Sequence, residues 1–165
     1  TTSTTMMMAL GDAIAVALME RWGFTADDFK QRHPGGKLGK LLLKVSDIMH
    51  TGNDLPLASP DETMANALVT MTQKSLGVIG VVDGSRRLLG IVTDGDLRRH
   101  MADNLLRLSA AEVMTANPKT IRSTALASEA VQVMNEMQIT SLFVVDDGKV
   151  SGALHIHDCL RAGVV

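Results

Sequence analysis

The chain carries one pattern twice. Val45-Ser46-Asp47-Ile48-Met49 returns as Ala110-Ala111-Glu112-Val113-Met114. Leu76-Gly77-Val78-Ile79-Gly80-Val81-Val82-Asp83 returns as Ile139-Thr140-Ser141-Leu142-Phe143-Val144-Val145-Asp146. Gly90-Ile91-Val92-Thr93-Asp94-Gly95-Asp96-Leu97-Arg98-Arg99 returns as Gly152-Ala153-Leu154-His155-Ile156-His157-Asp158-Cys159-Leu160-Arg161. The offsets are 65, 63 and 62 positions, so the length differences fall in loops, where they are tolerated. Two copies of one supersecondary unit imply two packed layers with clefts between them.

Each copy presents its signals in the same order. A short helical turn ends at Met49 or Met114. A brief extended piece follows near Leu57-Ala58 or Thr120-Ile121. An amphipathic helix comes next, starting in copy one at Ser59-Pro60-Asp61-Glu62, an N-cap serine with proline at N1 and an acid at N3. Met64, Ala67, Leu68 and Met71 then fall at helical spacing, as do Leu126, Ala130, Val131, Met134 and Met137 in copy two. Strands are predicted over 78–82 and 88–93, and again over 142–145 and 150–155, each pair joined around Asp-Gly, a strong hairpin signal. A last helix begins near Asp94 or Ile156. The unit is β-α-β-β-α, an α/β (α+β) class fold with helices on one face of a small sheet, and it is too small to bury its apolar surface alone.

Residues 1–44 do not share the repeat. Thr1-Thr2-Ser3-Thr4-Thr5 supplies N-caps for a helix over 6–21 that is apolar almost all round and needs cover on several sides. Its apolar stretch, 6–19, is 14 residues and contains Gly11 and Asp12, so it reads as a buried helix rather than a membrane span, and its partners are absent from the chain. A second helix starts at Thr25 with Asp28 at N3, flanked by the staple pair Phe24 and Phe29, and stops at His33-Pro34-Gly35-Gly36. By spacing alone His33 is a last-turn histidine favourable to the helix dipole. The first residue is Thr rather than Met, which points to a piece of a longer protein.

Composition narrows the function. A net charge of −2 and 2% aromatic residues argue against a nucleic-acid partner, which needs a basic face and stacking platforms. No secretory signal is visible, and a single cysteine, Cys159, excludes an internal disulfide and fits a reducing, cytoplasmic setting. There is no P-loop or Rossmann fingerprint. The candidate chemistry sits where a strand meets a helix. Thr93 and Asp96 form a capping box, and the same geometry suits a phosphate and ribose hydroxyls. Copy two keeps the acid, Asp158, but has His155 in place of Thr93, so the clefts are chemically unequal. His155, His157, Asp158 and Cys159 also cluster four metal-ligand types, though no second cluster completes a tetrahedral site, and no metal is assigned.

These residues resemble a family. Asp-Ile-Met and Glu-Val-Met, with Gly-Ile-Val-Thr-Asp-Gly-Asp and its partner Gly-Ala-Leu-His-Ile-His-Asp, resemble a pair of cystathionine-β-synthase (CBS) domains, a Bateman module, over residues 45–165. The whole chain resembles the D-arabinose 5-phosphate isomerases, which join a sugar isomerase (SIS) domain to a CBS pair. Leu10-Gly11-Asp12-Ala13, Gly23-Phe24-Thr25-Ala26-Asp27-Asp28-Phe29, His33-Pro34-Gly35-Gly36 and Asp47-Ile48-Met49-His50-Thr51-Gly52 carry that likeness. So do Thr93-Asp94-Gly95-Asp96-Leu97-Arg98-Arg99 and Leu160-Arg161-Ala162-Gly163-Val164-Val165.

The resemblance implies three segments: the helical end of a SIS domain with its linker at 1–44, CBS repeat 1 at 45–108 and CBS repeat 2 at 109–165. It implies that the parent enzyme interconverts D-ribulose 5-phosphate and D-arabinose 5-phosphate for Kdo and lipopolysaccharide biosynthesis, with His33 as a catalytic residue. The family's lysine and glutamates lie upstream, so this chain alone is expected to be inactive. No cofactor is required. The implied effector is AMP or ATP, or the end product CMP-Kdo, held by Thr93 and Asp96 or by His155 and Asp158, with Ala58 and Ile121 on the short extended pieces. The expected assembly is a dimer or tetramer through CBS pairs, without nucleic acid or membrane. Two rivals stand beside this reading: a ligand-free oligomerisation scaffold, and a metal sensor built on His155 and His157.

Overall fold

The computed structural model describes residues 1–25, 28, 29, 32, 39, 40, 42–101 and 104–164, in two units, Thr1–Leu42 and Leu43–Val165. In the first, helix α1 spans Thr2–Arg21. It starts four residues before the expected position, because Thr1 rather than Thr5 is the N-cap and its carbonyl accepts the Thr4 and Thr5 amides at 3.1 and 3.2 Å. None of the α1 residues is buried, and Met6, Leu10 and Ile14 are all exposed, as expected of an apolar helix for which the chain supplies no cover. At 20 residues with a mean hydropathy of 1.4, α1 also exceeds the 14-residue stretch read from sequence, and by length and composition it is long enough to cross a membrane. The second capping box forms as expected, with the Thr25 amide donating to Asp28 at 2.8 Å and the Asp28 amide to Thr25 Oγ1 at 3.2 Å. His33 and the breaker at 33–36 lie outside the described residues.

In the second unit, repeat 1 contains β1 (Leu57–Ala58), α2 (Met64–Lys74), β2 (Val78–Val82), β3 (Leu88–Thr93) and α3 (Asp94–Arg99). Repeat 2 contains α4 (Ala110–Val113), β4 (Thr115–Ala116), β5 (Thr120–Ile121), α5 (Ala127–Met137), β6 (Ser141–Asp146), β7 (Lys149–His155) and α6 (Ile156–Ala162). The β-branched runs make the hairpins β2–β3 and β6–β7, and both carry a register shift at the equivalent step, Val81/Val82 and Val144/Val145. The β6–β7 turn uses Asp147 and Gly148 with φ of 49° and 75°, the left-handed pair a type I′ turn requires. β1 pairs in parallel with β2 and β5 in parallel with β6, and the sheet orders are β1-β2-β3-β4 and β5-β6-β7.

The repeats exchange their lead-in segments. β4, from repeat 2, pairs antiparallel with β3 of repeat 1. Reciprocally, His50 of repeat 1 bridges Ala153 on β7, exchanging backbone hydrogen bonds of 2.8 and 3.1 Å. The exchange reaches the cores. Val45 is fully buried among Ile121, Ala130, Met134, Leu142 and Leu154 of repeat 2, while Ala110 and Val113 are buried among Ala58, Met64, Ile79 and Val92 of repeat 1.

This exchange also corrects the predicted helix starts. α2 begins at Met64, not at Ser59. Ser59–Glu62 is a separate turn whose Pro60 and Glu62 carbonyls accept the Ala111 and Ala110 amides of α4, and Met64 itself donates to Leu108. Leu126 is likewise the N-cap of α5 rather than part of it, with Ala127 donating to Leu43 at 2.7 Å.

Two glycines make the exchange fit. A Cβ on Gly152 would sit 2.5 Å from Met49 Sδ, and one on Gly90 would sit 2.7 Å from Met114 Sδ. A third apolar layer, with Leu55, Leu76, Val78, Phe143, Val150 and Ala153, lies between the two sheets and joins the repeats.

Candidate functional site

Thr93 ends β3 in extended conformation and caps α3, its Oγ1 accepting the Asp96 amide at 3.3 Å. Asp96 answers from one oxygen, accepting the Thr93 amide at 2.8 Å and the Thr93 hydroxyl at 2.6 Å. Its other oxygen accepts the Thr115 hydroxyl at 2.7 Å and the Arg99 guanidinium. Thr115 arrives from repeat 2, so the exchanged strand β4 fixes this carboxylate. Asp96 is only 2% exposed. Burial alone would raise its pKa, but the hydrogen bonds from Thr93, Thr115 and Arg99 outweigh burial and hold it below the usual carboxylate range.

Repeat 2 builds the same device with different chemistry. Asp158 accepts the His155 amide at 2.9 Å and the Arg161 guanidinium. In the place of Thr115, His50 of repeat 1 reaches across and donates from Nε2 to Asp158 at 3.1 Å. Burial again pushes the carboxyl up, and the His155 amide, Arg161 and His50 bring it below its ordinary value. His155 takes the Thr93 role through Nδ1, which accepts the His157 amide at 3.2 Å. That bond leaves Nε2 as the proton-bearing nitrogen of neutral His155. The two rings stand edge to face with centroids 4.7 Å apart. Burial, followed by the charge of His157, lowers the His155 pKa.

A cleft of about 770 Å³ opens between the repeats. Thr93 and His155 line it together, although the sequence pattern assigned them to separate clefts. Asp94 and Arg98 of α3 and Lys119 and His157 of repeat 2 supply the charged and further protonatable part of its polar lining, which also includes Thr115, Asn117 and Thr140. Val78, Ile91, Pro118, Met137, Ile139 and Phe143 form its apolar lining. It holds three kinds of cationic or protonatable group against one carboxylate, Asp94, which suits a ligand with an apolar or planar part and an anionic part.

The remaining candidates lie elsewhere. Asp96 and Asp158 are buried behind the cleft wall. Ala58, 4% exposed, belongs to the core of repeat 1. Ile121 lines a separate depression of about 500 Å³ with Lys119, Arg122, Glu129 and Val145. Cys159 is fully buried, and burial pushes its thiol pKa up, which makes it an inert packing residue. Among the described residues no group of three or more His, Cys, Asp or Glu side chains converges as a metal site.

Sequence reasoning missed Lys119, Met137 and Thr140. Met137 closes α5 just before the left-handed Gln138, while Lys119 and Thr140 sit in short non-periodic loops that follow Asn117 and Gln138, whose φ is 53° at each. The Asn117-Pro118 pair and the polar Gln138 just past a helical pattern are the turn signals there.

Comparison with known proteins places these features. Residues 45–103 and 110–164 match the family description of the CBS domain. The whole chain is 49% identical to part of the arabinose 5-phosphate isomerase KdsD of Yersinia pestis, and 48% identical to part of that of Pseudomonas aeruginosa. It spans 51% and 52% of those proteins, about half their length. Among solved structures it is similar to CBSX2 in complex with AMP, at 27% identity and a TM-score of 0.66, covering 74% of this chain and 96% of that one. It is also similar to CBSX2 from Arabidopsis thaliana, at 26% identity and a TM-score of 0.62, covering 74% and 94%. A putative acetoin utilization protein (AcuB) from Vibrio cholerae, 23% identical with a TM-score of 0.66 over 75% of this chain and 92% of that one, shares the fold.

Proposed function

The chain belongs to the CBS-domain family, and from that premise we propose that its inter-repeat cleft binds a regulatory nucleotide or nucleotide-sugar for a D-arabinose 5-phosphate isomerase. The observation that carries the reading is the cleft itself, where Thr93, Arg98, Lys119 and His155 from both repeats face one apolar-walled space. The AMP held by CBSX2 supports an adenine nucleotide, and the likeness to KdsD proteins supports CMP-Kdo as feedback effector. The parent enzyme would interconvert D-ribulose 5-phosphate and D-arabinose 5-phosphate in the cytoplasm for Kdo synthesis, with His33 in its catalytic centre. This chain alone would show no turnover and would self-associate through its CBS pairs. Regulation requires the ligand to favour one of two enzyme states. A ligand spanning both repeats would do so by fixing their separation.

One observation favours the rival scaffold role. Both oxygens of Asp96 are already occupied by Thr93, Thr115 and Arg99, so a ribose would have to displace one of these donors. Titration calorimetry with AMP, ATP and CMP-Kdo on the wild type and on Arg98→Ala separates the two. Saturable heat that weakens in the variant supports the sensor, and absence of heat for all three ligands supports the scaffold.

A further inference from the structure

His155 and His157 have no counterpart in repeat 1, where Thr93 and Gly95 stand at the equivalent positions. Resting on the reading of the cleft as a ligand site, we propose that binding there is proton-linked: the His155–His157 pair takes up a proton when an anionic ligand enters, so the cleft holds that ligand more tightly as the pH falls. Both imidazoles line the cleft, with centroids 4.7 Å apart. His155 is tied by Nδ1 to the α6 backbone, so its Nε2–H is a fixed donor.

The charges around the pair decide the sign. Arg98 and Lys119 line the same cleft, and Arg161 and His50 act on His155 from α6 and from the lead-in of repeat 1. Arg98, Lys119 and Arg161 disfavour a further positive charge in the empty cleft, and so does His50 when protonated. Asp158 favours it but is already engaged by Arg161 and His50, and Asp94 is the cleft's one carboxylate. An anion among these groups cancels the repulsion and makes the protonated pair favourable. Affinity therefore rises as pH falls through the bound-state pKa and levels off below the free-state one.

The experiment measures affinity and proton uptake for AMP and CMP-Kdo by calorimetry between about pH 5 and pH 8, in paired buffers of different ionisation enthalpy. AMP's own phosphate titrates near pH ~6. The phosphodiester and carboxylate of CMP-Kdo stay ionised throughout, so uptake with that ligand belongs to the protein. The expected result is net proton uptake and severalfold tighter binding at the acid end, bounded by about tenfold per pH unit for one proton. His155→Gln reduces the uptake, and His155→Gln/His157→Gln, which removes both protonatable rings from the cleft, loses all of it. Binding without uptake, or uptake unchanged in both variants, overturns the proton linkage alone. Absence of binding for both ligands at every pH overturns it together with the sensor reading.

Discussion

Replacing Thr115 by valine removes one hydroxyl and keeps the side-chain shape. In the structure that hydroxyl donates to Asp96 Oδ1 at 2.7 Å from the other repeat. A hydrogen bond to a charged group contributes about 1.5–3 kcal/mol. The Asp96 side chain is 3% exposed, which keeps water from replacing the donor fully. Three donor contacts remain on the carboxylate, from the Thr93 amide and hydroxyl and from Arg99, so the loss falls at the low end, about 1.5 kcal/mol. For a unit of this size that lowers Tm by about 3–6 °C. The deficit also has a pH signature. The Asp96 pKa is depressed in the folded state, so its contribution is complete above the unfolded carboxylate value and fades as pH falls through the folded value. Urea unfolding at about pH 7 and about pH 3 therefore gives a larger deficit at the higher pH, and Thr115→Ser restores stability. A neutral-pH deficit below about 0.5 kcal/mol, or one equal at both pH values, refutes the reasoning.

Gly152→Ala forces a methyl against Met49 Sδ and the His50 carbonyl. It should cost about 1–3 kcal/mol, and Met49→Ala in the same chain should recover part of that in denaturant titrations. Val45→Ala, at a fully buried position, should cost about 2 kcal/mol while leaving a single unfolding transition of the repeats by circular dichroism and calorimetry. Two separate transitions would contradict the shared cores. Asp96, Asp158 and His155 each bind a proton less tightly in the folded state. Acidification should thus erode stability twice, first below about pH 6.5 through His155 and then below about pH 4 through the carboxylates. A stability plateau from pH ~7 to pH ~5 would argue against the His155 part.

Local signals made the hairpins legible. Val78–Val82 and Leu88–Thr93 fall where the apolar runs and the Asp-Gly turn put them, because strand propensity and turn chemistry act within a few residues. The Thr93/Asp96 box is equally local. The start of α2 was misread for the same reason. Ser59-Pro60-Asp61-Glu62 looks like a helix start, yet its carbonyls accept from Ala110 and Ala111 of α4, far along the chain. Thr115 on Asp96 depends on which sheet a two-residue strand joins, and His50 on Asp158 on a single backbone bridge to β7, and no spacing rule encodes those choices. The repeat pattern leads to separate clefts for Thr93 and His155, whereas both line one cleft, because the pattern shows what each copy contains and not which ends face one another.

The exchange of lead-in segments orders events during synthesis. The sheet of repeat 1 lacks its outer strand, and its core lacks Ala110 and Val113, until residues 110–116 have left the ribosome. Repeat 2, by contrast, finds Val45 already waiting when its own strands emerge. The nascent first half therefore exposes an unpaired β3 edge for the time taken to add about twenty residues, the period in which such edges are prone to mispairing.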